Sequence, residues 1–220
     1  MSQAYEIVQS QTPTTSTLIE FLLDETGSMG HVRKATIDSF NEYVNGQRSQ
    51  PGECFLTLTK FDDRGIRTQY LDAAISTVQD LNEATYNPTG MTNLYDAIGT
   101  RIKALEARTN KDDGKAKLIV IMTDGQDNVS REYSPSMLSQ LIKAKEAEGW
   151  TFVFLGANQD AWQVGQTFGM SKGNTMTYDT NNMHDTMATL SAATSSYRSV
   201  RSKGIVGSTE AATDFFGNVK

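Results

Sequence analysis

The chain has 220 residues, long enough for one α/β domain with a sizeable core, and its 38% hydrophobic and 21% charged residues are ordinary for a globular protein and exclude a largely disordered chain. Its formal charge of −6, with no basic cluster longer than "RK" or "KAK", argues against a nucleic-acid partner, because phosphate binding needs a basic face. No stretch approaches ~18 apolar residues and the first 20 lack a basic start followed by an apolar segment, so a cytoplasmic protein with no membrane span is expected.

Taken in order, residues 1–16 read as an extended polar lead-in, residues 17–203 as the domain, and residues 204–220 as a tail. Thr17 to Leu23 is an apolar run of strand length, within which Glu20 is anomalous. Either that carboxylate finds a buried partner or the strand begins later. Val32, Thr36, Ile37, Phe40 and Val44 mark one helical face that should end near Asn45-Gly46. Cys54 to Phe61 predicts a second strand, with the single cysteine as a small core residue rather than a reactive thiol.

"DDRG" at 62–65 predicts a turn, and the alternating Ile66 to Leu71 an antiparallel edge strand. Leu94, Ile98, Ile102 and Leu105 recur at helical spacing, and "KLIVIM" at 117–122 suits a strand covered on both faces. Ser134-Pro135 opens a helix with Met137, Leu138, Leu141 and Ile142 on its buried face and Gly149 beyond its end. Residues 150–156 predict a strand, Ala161 to Phe168 a short helix, and Thr175 to Tyr178 a last strand. A closing helix carries Met183, Met187, Leu190, Ala193 and Tyr197 on one face. Alternation of this kind predicts a Rossmann-like, doubly wound α/β fold: a mostly parallel sheet of about six strands, one antiparallel edge strand, helices on both faces.

In such sheets ligands bind beyond the carboxyl ends of the strands. Asp24, Thr26 and Ser28 follow the first strand in "DETGSM", Asp124 follows "LIVIMT", and Thr92 lies in "NPTGMTN" before a helix. In extended chain, positions i, i+2 and i+4 project to one side, and Gly27 allows the bend round an ion. Two carboxylates and three hydroxyls without His or Cys are hard donors that suit Mg²⁺ or Mn²⁺, in preference to Ca²⁺, and disfavour zinc.

These three segments resemble the metal ion-dependent adhesion site of von Willebrand factor type A (vWA) domains. "DETGSM" is similar to that family's D-x-[ST]-x-S signature, "TGMTNLYDAI" to its threonine loop, and "IVIMTDGQDN" to its strand with terminal aspartate. Thr26 stands where serine is more usual and keeps the hydroxyl. "REYS" and "GWTFVFLGANQDA" look like those of stand-alone bacterial and phage members. The resemblance implies that Thr26 and Ser28 bind the ion directly, Thr92 directly or through water, and Asp24 and Asp124 mainly through water. It also implies a non-enzymatic binding device, in which an Asp or Glu of a partner protein completes the metal's shell.

Other readings compete. "TGSMG" resembles G-x-S-x-G, and Ser28, Asp124 and His184 follow the chain order of a hydrolase triad, but Thr26 replaces the glycine that the strained elbow needs. Phosphoryl transfer on Asp24 lacks a second acid at residue 26. A metal that merely ties loops together is the third. Around the site, Glu25 is expected to face away, Asp62 and Asp63 to form a turn, Asp127 and Asn128 to be solvated loop residues, and Trp162 to pack.

Overall fold

The apolar run near the start forms β1 (Ser16–Asp24), buried along its whole length. In the computed structural model, which describes residues 16–110, 113–157, 161–179, 182–203 and 214–217, β1 pairs in parallel with β2 (Glu53–Asp62) on one side and β4 (Lys115–Thr123) on the other. Outside β2 runs β3 (Gly65–Ala74), antiparallel; outside β4 come β5 (Thr151–Ala157) and β6 (Thr175–Tyr178), both parallel. The order β3-β2-β1-β4-β5-β6 is the mostly parallel α/β sheet with one antiparallel edge that the alternation predicts. β1 and β4 read as continuous apolar runs because both of their faces are covered.

One face carries α1 (Arg33–Arg48) and α5 (Met183–Ser202), whose Phe40, Tyr43, Met187 and Leu190 pack on Ile19, Phe21 and Leu23. Phe21 meets Phe40 edge-on at 5.2 Å between ring centroids. Each such buried side chain contributes roughly 1.5–3 kcal/mol. The other face carries α2 (Leu94–Arg108), α3 (Pro135–Ala147) and α4 (Ala161–Thr167), packed on Leu18, Leu22, Ile119 and Ile121. Strand and helix thus satisfy the expected order, with Gly149 and Gly169 at left-handed φ of +86° and +78° past two helix ends.

Some boundaries differ. α1 runs past Gly46 to Arg48 because that glycine faces α5 and does not stop the helix: a β-carbon there would stand 2.3 Å from the Ser191 hydroxyl. The buried Gln47 donates Nε2 to the Ser191 carbonyl at 3.0 Å, fixing the contact. β3 is longer than expected, with register shifts against Leu56 to Thr59 and a left-handed Asp72 (φ +45°). Met137 is 50% exposed, since α3 buries Leu138, Ile142 and Lys145 instead.

Glu20 lies within β1 and is buried, so the strand does not begin later. Its carboxylate accepts from Arg101 Nε at 2.7 Å and Arg108 Nη2 at 2.6 Å, both from α2. Residues 1–15 and most of the tail fall outside the described residues, while Ser16, expected in the lead-in, already belongs to β1. Within the tail Phe215 is buried beside Tyr197, its N–H donating to Asn174 Oδ1 at 2.9 Å.

Candidate metal centre

The chain moves from β1 outward to β2 and β3, then returns to β4 and continues the other way through β5 and β6. The carboxyl ends of β1 and β4 are therefore the topological switch point, where the diverging connections leave a crevice. Leu23 is level with Met122, which sets Asp24 beside Thr123. Thr123 Oγ1 donates to Asp24 Oδ2 at 2.6 Å, and the Thr26 N–H to Asp24 Oδ1 at 2.8 Å. With both oxygens engaged, Asp24 is locked, and its own carbonyl accepts from the Tyr86 hydroxyl at 2.7 Å. Burial keeps that phenol protonated, with the charge of Asp24 adding to the effect.

Past Asp24 the chain turns so that Thr26 Oγ1 lies 3.2 Å from Ser28 Oγ, and Ser28 Oγ donates to Asp124 Oδ1 at 2.6 Å. Thr92 arrives from the other side. A β-carbon on Gly125 would stand 3.3 Å from Thr92 Oγ1 and 3.9 Å from Ser28 Oγ, so those hydroxyls flank one small space that the glycine leaves free. The structure thus brings Asp24, Thr26, Ser28, Thr92 and Asp124 together. Asp24, Thr26 and Thr92 are buried, Asp124 is half-buried, and Ser28 is exposed, so the group opens to solvent on one side.

Burial pushes the Asp24 carboxyl up to about 6; hydrogen bonds from Thr123 and Thr26 oppose the rise, and the negative charge of Asp124 adds to it. Asp124 is raised as well, by burial, against the hydrogen bond from Ser28. Among the described residues no Lys or Arg is ion-paired with either. Two carboxylates desolvated together without a Lys or Arg partner, although His31 offsets part of the rise at Asp124, favour a cation between them. The donor set is hydroxyl and carboxylate oxygen; among the described residues no group of three or more His, Cys, Asp or Glu could hold a metal. These residues fit a hard divalent ion.

The surrounding loops are braced by residues read otherwise in the sequence. Glu25 faces away from the cluster, as expected, but as a buried bracket: it accepts from Arg67 at 2.8 Å, Lys60 at 3.3 Å and the Asn87 N–H at 2.7 Å. Asp62 forms the expected turn, accepting from the Arg64 N–H at 2.8 Å, and is fully buried by Arg64 and Arg67. Asp127 and Asn128 are not merely solvated. Asp127 Oδ1 accepts from the Tyr95 N–H at 3.2 Å, and Asn128 Oδ1 from the Thr92 N–H at 2.9 Å. Trp162 is half-buried on α4. The hydrolase triad is not assembled: Ser28 donates to Asp124 directly, while His184 pairs with Glu42 at 2.6 Å.

A six-stranded switch-point sheet with this oxygen cluster at its carboxyl edge defines a class, and the family model for the von Willebrand factor type A domain matches residues 19–193. The chain belongs to that family. No curated protein matches it by sequence. Solved structures share the fold at low identity. Proximal thread matrix protein 1 from the mussel byssus is 16% identical, with TM-score 0.58 over 80% of this chain and 45% of that one. Manganese-loaded Plasmodium vivax TRAP protein is 17% identical, with TM-score 0.56 over 79% and 72%. The SpRpn10 VWA domain is 13% identical, with TM-score 0.56 over 79% and 94%. The chain thus spans under half the length of the mussel protein, a further structure of which has a zinc-occupied MIDAS motif. Among the described residues no helix is long and apolar enough to cross a membrane.

Proposed function

We propose that this is a divalent-metal-dependent protein-binding domain and not an enzyme, holding Mg²⁺ or Mn²⁺ through Asp24, Thr26, Ser28, Thr92 and Asp124. The ion would take a carboxylate from an Asp or Glu of a partner protein. The observation that carries this reading is the convergence of the Thr92 and Ser28 hydroxyls on the space over Gly125, beside Asp124 and open to solvent. A site with three neutral hydroxyls among its donors leaves a bound cation short of negative charge, which favours an acidic ligand from outside. The manganese in one structural neighbour makes Mn²⁺ a suitable probe.

Calorimetric titration with Mn²⁺ is expected to give one site, weakened by at least roughly tenfold in Ser28→Ala. Peptide display selected in Mg²⁺ and eluted with EDTA is expected to enrich sequences containing Asp or Glu, with binding lost when the acid becomes its amide. No Mn²⁺ site, or peptides retained in EDTA, would defeat the proposal. Metal binding without any EDTA-sensitive acidic ligand would leave the ion a purely structural role.

Gly125→Ala gives a second check. Gly125 is not in the left-handed region, so alanine adds a methyl without backbone strain, directly into the space flanked by Thr92 and Ser28. Mn²⁺ affinity should fall by roughly tenfold or more, with thermal unfolding nearly unchanged. Undiminished affinity would mean that the ion does not sit there.

A further inference from the structure

The buried hydroxyl of Thr92 comes from an irregular segment, and something must fix its position relative to Asp124. The first-strand side supplies part of the brace: the Gly27 N–H donates to the Gly90 carbonyl at 3.0 Å and the Thr89 N–H to the Glu25 carbonyl at 2.9 Å. Neither bond reaches Thr92. Asn128 does, three times over with its neighbour. Its Oδ1 accepts the Thr92 N–H at 2.9 Å, its own N–H donates to the Thr92 carbonyl at 3.0 Å, and the Val129 N–H donates to the same carbonyl at 3.2 Å.

Asn128 stands four residues beyond Asp124 in a loop that is itself anchored to the first turn of α2. Ser130 Oγ accepts the Asp96 N–H at 3.0 Å, and the Asp96 carboxylate accepts the N–H groups of Arg131, Glu132 and Tyr133, each at 2.9 Å. The loop that carries one proposed ligand therefore grips the backbone of another.

Resting on the metal reading above, we infer that Asn128 is a positioning residue for the metal centre, setting Thr92 at a fixed spacing from Asp124 through its side-chain amide oxygen. Asn128 is exposed, so water can replace that acceptor when it is removed, and the loss falls on the order of Thr92 more than on global stability. Partners of ligand residues commonly matter 10–100-fold to metal affinity.

The test is Mn²⁺ affinity, read by electron paramagnetic resonance on the full chain. Asn128→Leu should weaken binding by roughly tenfold with little change in thermal unfolding, and Asn128→Asp, which keeps the acceptor, should bind at least as well as wild type. Where Leu disturbs folding, Asn128→Ala removes the same acceptor without apolar bulk and is read the same way. In a Thr92→Ala background Asn128→Leu should add no further loss, whereas a general loosening of the loop would add in full. Wild-type affinity in Asn128→Leu, equal weakening in Asn128→Asp, or additivity with Thr92→Ala each overturns the inference alone. A wild-type protein that binds no Mn²⁺ overturns the metal reading and this inference together.

Discussion

Glu20→Ala is expected to destabilise the domain by about 3–5 kcal/mol, seen as a lowered urea midpoint at unchanged slope. The carboxylate is 1% exposed in the middle of β1 and is the shared acceptor of Arg101 and Arg108. Arg108 retains Asp72 at 2.9 Å, but among the described residues Arg101 would keep only its bond to Thr68 while remaining buried. An unpaired buried guanidinium is the costly product, so the loss exceeds anything the ion pair adds to the intact fold. Combining Glu20→Leu with Arg101→Met should recover part of it, because charge and counter-charge leave together. A loss below about 1 kcal/mol for Glu20→Ala would mean that solvent reaches Arg101, contrary to its burial.

Glu20 also marks where the sequence stops being informative. Its polar character inside an apolar run is visible at once, yet its partners lie 81 and 88 residues away and no local pattern indicates them. The strands and most helices were legible because burial on one or two faces leaves a periodic trace within a few residues. That Asp24, Thr26, Ser28 and Asp124 lie near one crevice was legible too, from strand ends and alternate spacing, and Thr92 from its loop before α2; that the five hold an ion is the proposal made above. The loop residues behind them were not. Asp127 and Asn128 act on Tyr95 and Thr92 across 32 and 36 residues, and both look like ordinary solvated turn residues in isolation. Gly46 misled for a related reason: a glycine needed for close helix contact looks the same as one that ends a helix.

Phe215→Ala should cost about 3–5 kcal/mol, the usual range for emptying a buried phenylalanine site. Phe215 is 2% exposed, its ring centroid 5.9 Å from Tyr197 and 5.2 Å from Phe216. The neighbouring main chain is pinned as well, with the Phe216 N–H donating to the Gly173 carbonyl at 3.0 Å. The aromatic pair near the end of the chain therefore belongs to the core beneath α5. Urea unfolding of Phe215→Ala measures the contribution; a change within about 0.5 kcal/mol would show that the domain is complete without this contact.

The distorted outer strand β3 and the four-residue β6 have a consequence for how these molecules meet one another. Stacking of sheets border to border needs a straight row of free amides, and the bulged register of β3, broken again at left-handed Asp72, offers no such template. At the opposite border β6 is too short to seed one. Concentrated solutions of the folded domain should accordingly resist fibril growth by strand addition.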